Sequence, residues 1–224
     1  NAVGVPLTVG LALAQKCGIK SKEVDDGVKA SSAFLRYFIH KGALPYGDHM
    51  AYMGTFDNNG SSSMAAVLFD LLGDKDSASF FAGMSLAAVR EKEDGHTGPY
   101  FSLVWGGLGA ACGGDDAATA YMEQMRWYYE LMRQPKGEAK YNPVLCGGQE
   151  MGAYGKGHYW SLAGAALMHY CAPRHKLFMT GKDKHASPPM TKEQIQECLQ
   201  VSSRTFAKDP STPELVKMLE HPLP

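Results

Sequence analysis

Gly60-Ser61-Ser62-Ser63-Met64-Ala65-Ala66-Val67-Leu68-Phe69-Asp70-Leu71-Leu72, closed by Gly73, is the stretch whose reading decides the fold. It is helix-length, apolar nearly all round, and rich in small residues that let neighbouring backbones approach closely, so it reads as a buried helix. Gly73 stands where helices commonly end in a left-handed residue. Working outward, the same pattern of Gly-rich loop, apolar run and abrupt stop recurs at Gly4–Cys17, Gly98–Cys112 and Gly157–Cys171. Two of those three stops are also followed directly by glycine, Gly18 and Gly113.

After each of the first three stops comes a helix of different character. Val24, Val28, Phe34, Leu35 and Phe38 form a stripe on 22–39. Phe80, Phe81, Met84, Ala87 and Ala88 do so on 75–90, and Ala118, Tyr121, Met125, Tyr128 and Met132 on 115–132. Asp74 and Asp115 are placed to cap the second and third of these helices. An apolar helix followed by an amphipathic one that covers it is a helical hairpin, and the expected fold is all-α, with antiparallel hairpins packed side by side. The loops 42–59, 91–98 and 134–156 each precede a buried helix and so should share one end of the layer. The hairpin domain is expected over 1–172, with 173–224 packed on it as a C-terminal appendix. In that appendix 176–180 is a candidate short strand. Thr191-Lys192-Glu193-Gln194 has capping-box spacing, and Pro213 follows Thr212 at the start of a last helix.

Composition limits the function classes. Among 224 residues, 22 Lys+Arg balance 23 Asp+Glu for a net charge of -1, which removes electrostatic attraction to nucleic acid or acidic lipid as a default. No apolar run is long enough to span a membrane, so neither nucleic acid nor membrane is expected as a partner. The chain opens on Asn1, and the expectation is a processed or excised piece of a longer polypeptide, whose compartment is left open with export as one option. Five cysteines, widely spaced and without a CxxC, indicate neither a disulfide framework nor a zinc ribbon.

The hairpin alternation resembles the α/α-toroid superfamily, the rings of inner and outer helices found in terpenoid cyclases, protein prenyltransferases and several polysaccharide lyases. The resemblance covers roughly 3–172 and rests on junctions such as Asp57-Asn58-Asn59-Gly60-Ser61, Gly95-His96-Thr97-Gly98-Pro99-Tyr100 and Gly155-Lys156-Gly157-His158-Tyr159-Trp160. It implies part of a ring, completed by the rest of a longer chain or by a second subunit. It implies no particular chemistry, because the DxDD, QxxxGxW, Cys-Gly-Glu-Gln and Trp-Cys-x-Gly signatures are all missing.

Toroid enzymes keep their sites at the mouth, and the loops entering the buried helices concentrate polar aromatic and titratable residues. His49, His96 and His158 lie on three such loops. Histidine exchanges protons near neutral pH and tyrosine can serve as an acid, so His96, His158, Asp57 and Tyr100 are the candidate catalytic residues. Tyr46, His49, Asn58, Asn59, Glu150, Tyr154 and Trp160 are the candidate substrate-binding residues, since aromatic faces stack on sugars and loop polar groups orient them. Histidine, Asn and Asp beside glycine at a helix start more often cap the helix. No two histidines share i, i+4 spacing, so no metal site is expected, and no nucleotide fingerprint or other cofactor motif is present. The leading expectation is a carbohydrate-active lyase or hydrolase. The alternatives are a non-catalytic module binding glycan or peptide, and a metal-assisted transferase.

Overall fold

The computed structural model describes residues 1, 3–51, 55–88, 91, 100–132, 135 and 185–207, and at 100, 131, 132 and 202–207 the backbone alone. The regular elements among these residues are helices: α1 (Gly4–Lys16), α2 (Lys22–Arg36), α3 (Ser61–Leu72), α4 (Lys75–Ala87), α5 (Tyr100–Ala111), α6 (Asp115–Met132) and α7 (Lys192–Ala207). The candidate strand at 176–180, the apolar run at 157–171 and the helix expected after Thr212 lie outside the described residues.

Local chemistry sets the boundaries. Ser21 accepts the Val24 amide at the start of α2, and Asp74 accepts the Ser77 amide at the start of α4, so both satisfy a donor that the first helical turn leaves over. Gly73 closes α3 at φ 75, as expected of a residue without Cβ. Asp115 is the first residue of α6 rather than its cap. The left-handed turn before it falls at Gly114, φ 98, one residue later than the glycine singled out from the sequence. Thr191 and Gln194 form the expected reciprocal box at α7, with Gln194 N donating to Thr191 Oγ1 at 3.2 Å and Thr191 N donating to Gln194 Oε1 at 2.8 Å.

Consecutive helices pack as pairs, α1 with α2, α3 with α4 and α5 with α6, while α3 lies between α1 and α5. Every residue of α3 from Ser61 to Leu71 is buried, as its all-round apolar character demands. Two expectations change. On α1 only the Val5, Thr8, Val9, Ala12 stripe is buried, and Leu7 is 63% exposed, because among the described helices α1 packs mainly on α2 and α3. Helix α4 was expected to face solvent on one side, yet it is buried along Ser77, Ala78 and Phe80–Ala87, because α5 and α7 pack on it as well as its hairpin partner α3.

The close approach of α5 shows in Gly109, where a Cβ would stand 2.8 Å from both Ser63 Cα and Ser85 Oγ. The Phe69 and Phe81 rings stack at 5.6 Å between α3 and α4. Cys198 of α7 is buried, which pushes its thiol up to about 12 and leaves it as packing rather than a nucleophile. No helix among the described residues is long and apolar enough to cross a membrane.

Candidate functional site

The starts of α1, α3 and α5 meet at one end. The Asn1 ammonium donates to the Tyr46 carbonyl at 2.7 Å, and its side-chain amide donates to the Gly47 carbonyl at 3.2 Å. The same loop reaches α3, where the Leu44 amide donates to Ser62 Oγ at 3.4 Å. Gly60, at φ 74, begins α3 so close to α5 that a Cβ would stand 2.7 Å from the Phe101 carbonyl oxygen. Three helix N-termini, each with the positive end of its dipole, are thereby gathered on the loop side.

Asp57 is the organising residue of this end. It is 1% exposed, and its Oδ1 accepts the amides of Asn58 at 2.8 Å and Ser62 at 2.9 Å. Ser63 Oγ donates to Oδ2 at 2.6 Å and lies 2.7 Å from Ser85 Oγ, which in turn reaches the Gly106 carbonyl at 2.9 Å. A buried carboxylate thus caps α3 and begins a hydroxyl chain crossing to α4 and α5. Helix α6 adds Tyr121, fully buried. Burial raises its hydroxyl well above the ordinary tyrosine range, a hydrogen bond from Tyr129 opposes this, and the charge of Asp57 adds to the rise.

The remaining sequence candidates sort by position. Asn58 is half-buried and Asn59 is buried at φ 53, a left-handed geometry that asparagine tolerates, so both belong to the Asp57 turn. Tyr46, 36% exposed, and His49, exposed, share the loop beside Asn1. A Cβ at Gly47 would come 3.3 Å from His49 Nε2, so a glycine there gives the imidazole room to fold back. Tyr100 is the first residue of α5. His96, His158, Glu150, Tyr154 and Trp160 lie outside the described residues. Two groups are therefore placed: Asp57, Asn58 and Asn59 in the turn before α3, and Tyr46 with His49 on the neighbouring loop.

The opposite end, about 18 Å away along the 12 residues of α3, holds a constellation that the sequence reading passed over. Asp70 near the end of α3, Cys112 just after α5 and His185 before α7 place one donor atom each within 4.8 Å of one another. The sequence does carry one sign of it. Asp70 is the lone charge in an otherwise apolar or small-residue helix, and a carboxylate buried there requires partners. What no local pattern shows is that one partner arrives from residue 185.

A family model described as a domain of unknown function, DUF6288, matches residues 1–181, and the chain belongs to that family. No curated protein and no solved structure matches the chain.

Proposed function

We propose that this DUF6288 domain is part of an α/α toroid whose loop end receives an anionic carbohydrate, with lyase or hydrolase chemistry carried by His96 and His158. The single observation that carries the reading is the convergence of the α1, α3 and α5 starts on one loop end: Asp57 already meets the positive end of α3, and the starts of α1 and α5 beside it favour a carboxylate-bearing sugar. Tyr46 on the exposed loop supplies an aromatic face for stacking, and His49 beside it a titratable donor. Asp57 serves as a positioning residue: its carboxylate fixes the Asn58-Asn59 turn and so the rim on which a sugar would rest.

The reaction assigned is β-elimination at a uronate: an imidazole of His96 or His158 takes the C5 proton, the C4–O bond breaks as the C4=C5 double bond forms, and Tyr100 protonates the leaving oxygen. The experiment is incubation of the purified chain with polygalacturonate and with a glycosaminoglycan, following both unsaturated uronate absorbance and reducing ends. Product with either polymer, lost in His96→Ala and His158→Ala while the melting temperature stays within a few degrees, is the expected result. Binding of the polymer without product supports the glycan-binding module instead. Neither binding nor product overturns the carbohydrate reading.

A further inference from the structure

The end of the bundle remote from the loops carries a second, independent site. Asp70 is 2% exposed and Cys112 3%, and the His185 side chain is 13% exposed, so the cluster is buried with one edge near solvent. Asp70 Oδ2 lies 3.2 Å from His185 Nδ1, and Asp70 Oδ1 accepts the amide of Ala186. Cys112 Sγ is the third member, all three donor atoms falling within 4.8 Å of one another. The three residues come from three separate parts of the chain, and their backbones are held independently of the side chains. Ser187 Oγ donates to the Cys112 carbonyl at 3.0 Å, and the Met190 amide donates to the Gly113 carbonyl at 2.7 Å. Pro189 sits so tightly on Gly114 that a Cβ there would stand 2.9 Å from it. The segment bearing His185 is therefore seated on the turn bearing Cys112 by contacts that do not involve the donors.

We propose that Asp70, Cys112 and His185 bind one transition-metal ion of the zinc class, clamping the segment before α7 to the ends of α3 and α5. The donor set decides the ion. One thiolate, one imidazole and one carboxylate suit borderline-soft Zn²⁺ or Co²⁺, whereas Mg²⁺ and Ca²⁺ require oxygen donors throughout. Donors around a tetrahedral ion at about 2.0–2.3 Å stand roughly 3.3–3.6 Å apart. The observed upper separation of 4.8 Å lies within reach of side-chain rotation alone. Charge also balances, since a divalent ion compensates one thiolate and one carboxylate in a place where either alone is costly to bury. Ala186 N keeps its bond to Oδ1, orienting the carboxylate from outside the coordination shell. Three protein ligands leave a fourth position for water at the partly exposed His185 edge.

The test uses the purified full chain, stripped with a chelator and titrated with Co²⁺ and with Zn²⁺. One ion per chain is expected, with a thiolate-to-cobalt charge-transfer band and the visible bands of a tetrahedral ion. Cys112→Ser should abolish the charge-transfer band and weaken Zn²⁺ by more than the about 10–100-fold typical of losing an outer partner, and His185→Gln should do the same. Cys17→Ser, altering an exposed thiol, should change neither. Should a variant fail to fold, X-ray absorption on zinc-loaded wild-type chain decides the matter, with one sulfur at about 2.3 Å and nitrogen or oxygen at about 2.0 Å expected. A zinc shell without sulfur, no binding to the wild type, or a charge-transfer band that survives in Cys112→Ser overturns the proposal.

Discussion

Gly109→Ala puts the packing of α5 on α3 and α4 to a direct test. The added methyl would stand 2.8 Å from Ser63 Cα, 2.8 Å from Ser85 Oγ and 2.9 Å from Ser63 Cβ. Two of these belong to α3, and the Cα is backbone, so relief requires the helix to move rather than a side chain to rotate. Overpacking a well-filled core costs about 1–3 kcal/mol, and contact with backbone places this case near 3. Alanine recovers about 1 kcal/mol over glycine in a helix interior, leaving a net loss of about 2 kcal/mol. At roughly 2–4 °C per kcal/mol for a domain of this size, the melting temperature should fall by about 4–8 °C. Gly10→Ala on α1 is the control, because a Cβ there meets nothing within 4 Å, and it should gain about 0.5–1 kcal/mol. Denaturant unfolding of the two variants, with Ser85→Ala combined with Gly109→Ala, completes the assay. Removing the Ser85 hydroxyl should restore part of the loss and no more, since Ser63 Cα remains. A Gly109→Ala protein as stable as wild type would refute the close approach, and full rescue by Ser85→Ala would refute the backbone contact as its cause.

Asp57→Ala should cost about 2–4 kcal/mol in denaturant unfolding, since two amides and a hydroxyl lose a buried charged acceptor together, and a loss below 1 kcal/mol would contradict the capping role. Arg36→Ala should cost only about 0.5 kcal/mol and lose that effect in high salt, as the Arg36 side chain is 45% exposed and its pair with Asp74 screened. Burial opposes ionisation of Asp74, but Arg36 and the Ser77 hydroxyl and amide outweigh it and hold the carboxyl below the ordinary 3.8. That stabilisation is present above pH 3.8 and lost as pH falls through the lower folded value. Melting curves of wild type and Asp74→Asn should therefore differ near neutrality and converge in strong acid. Thr191→Ala should cost about 1 kcal/mol through the lost capping box, read as earlier proteolysis at α7.

Much of the helical plan was legible in the residues, because glycine stops and apolar periodicity act locally. Ser61–Leu72 has no polar face to turn outward, and it is buried throughout. Gly4–Lys16 has a similar composition and is half-exposed, because burial depends on which neighbours arrive, and no residue of α1 records that. Likewise the buried state of α4 follows from α5 and from α7, far along the chain. At the loop end, Asp57 was recognisable as a special residue, but its composition fits a cap and a catalyst equally well. Its bonds to the start of α3 and the hydroxyl chain through Ser63 and Ser85 depend on the register between α3 and α4, which no local pattern records. His185 was invisible as a partner of Asp70, since 115 positions separate them and no motif spans that gap.

The covering of α4 by α7 also bears on how the molecule is made. During synthesis α4 leaves the ribosome long before α7, the helix that completes its cover. The nascent chain therefore carries an oily strip through the production of α5 and α6, and contacts of such long range are slow to close.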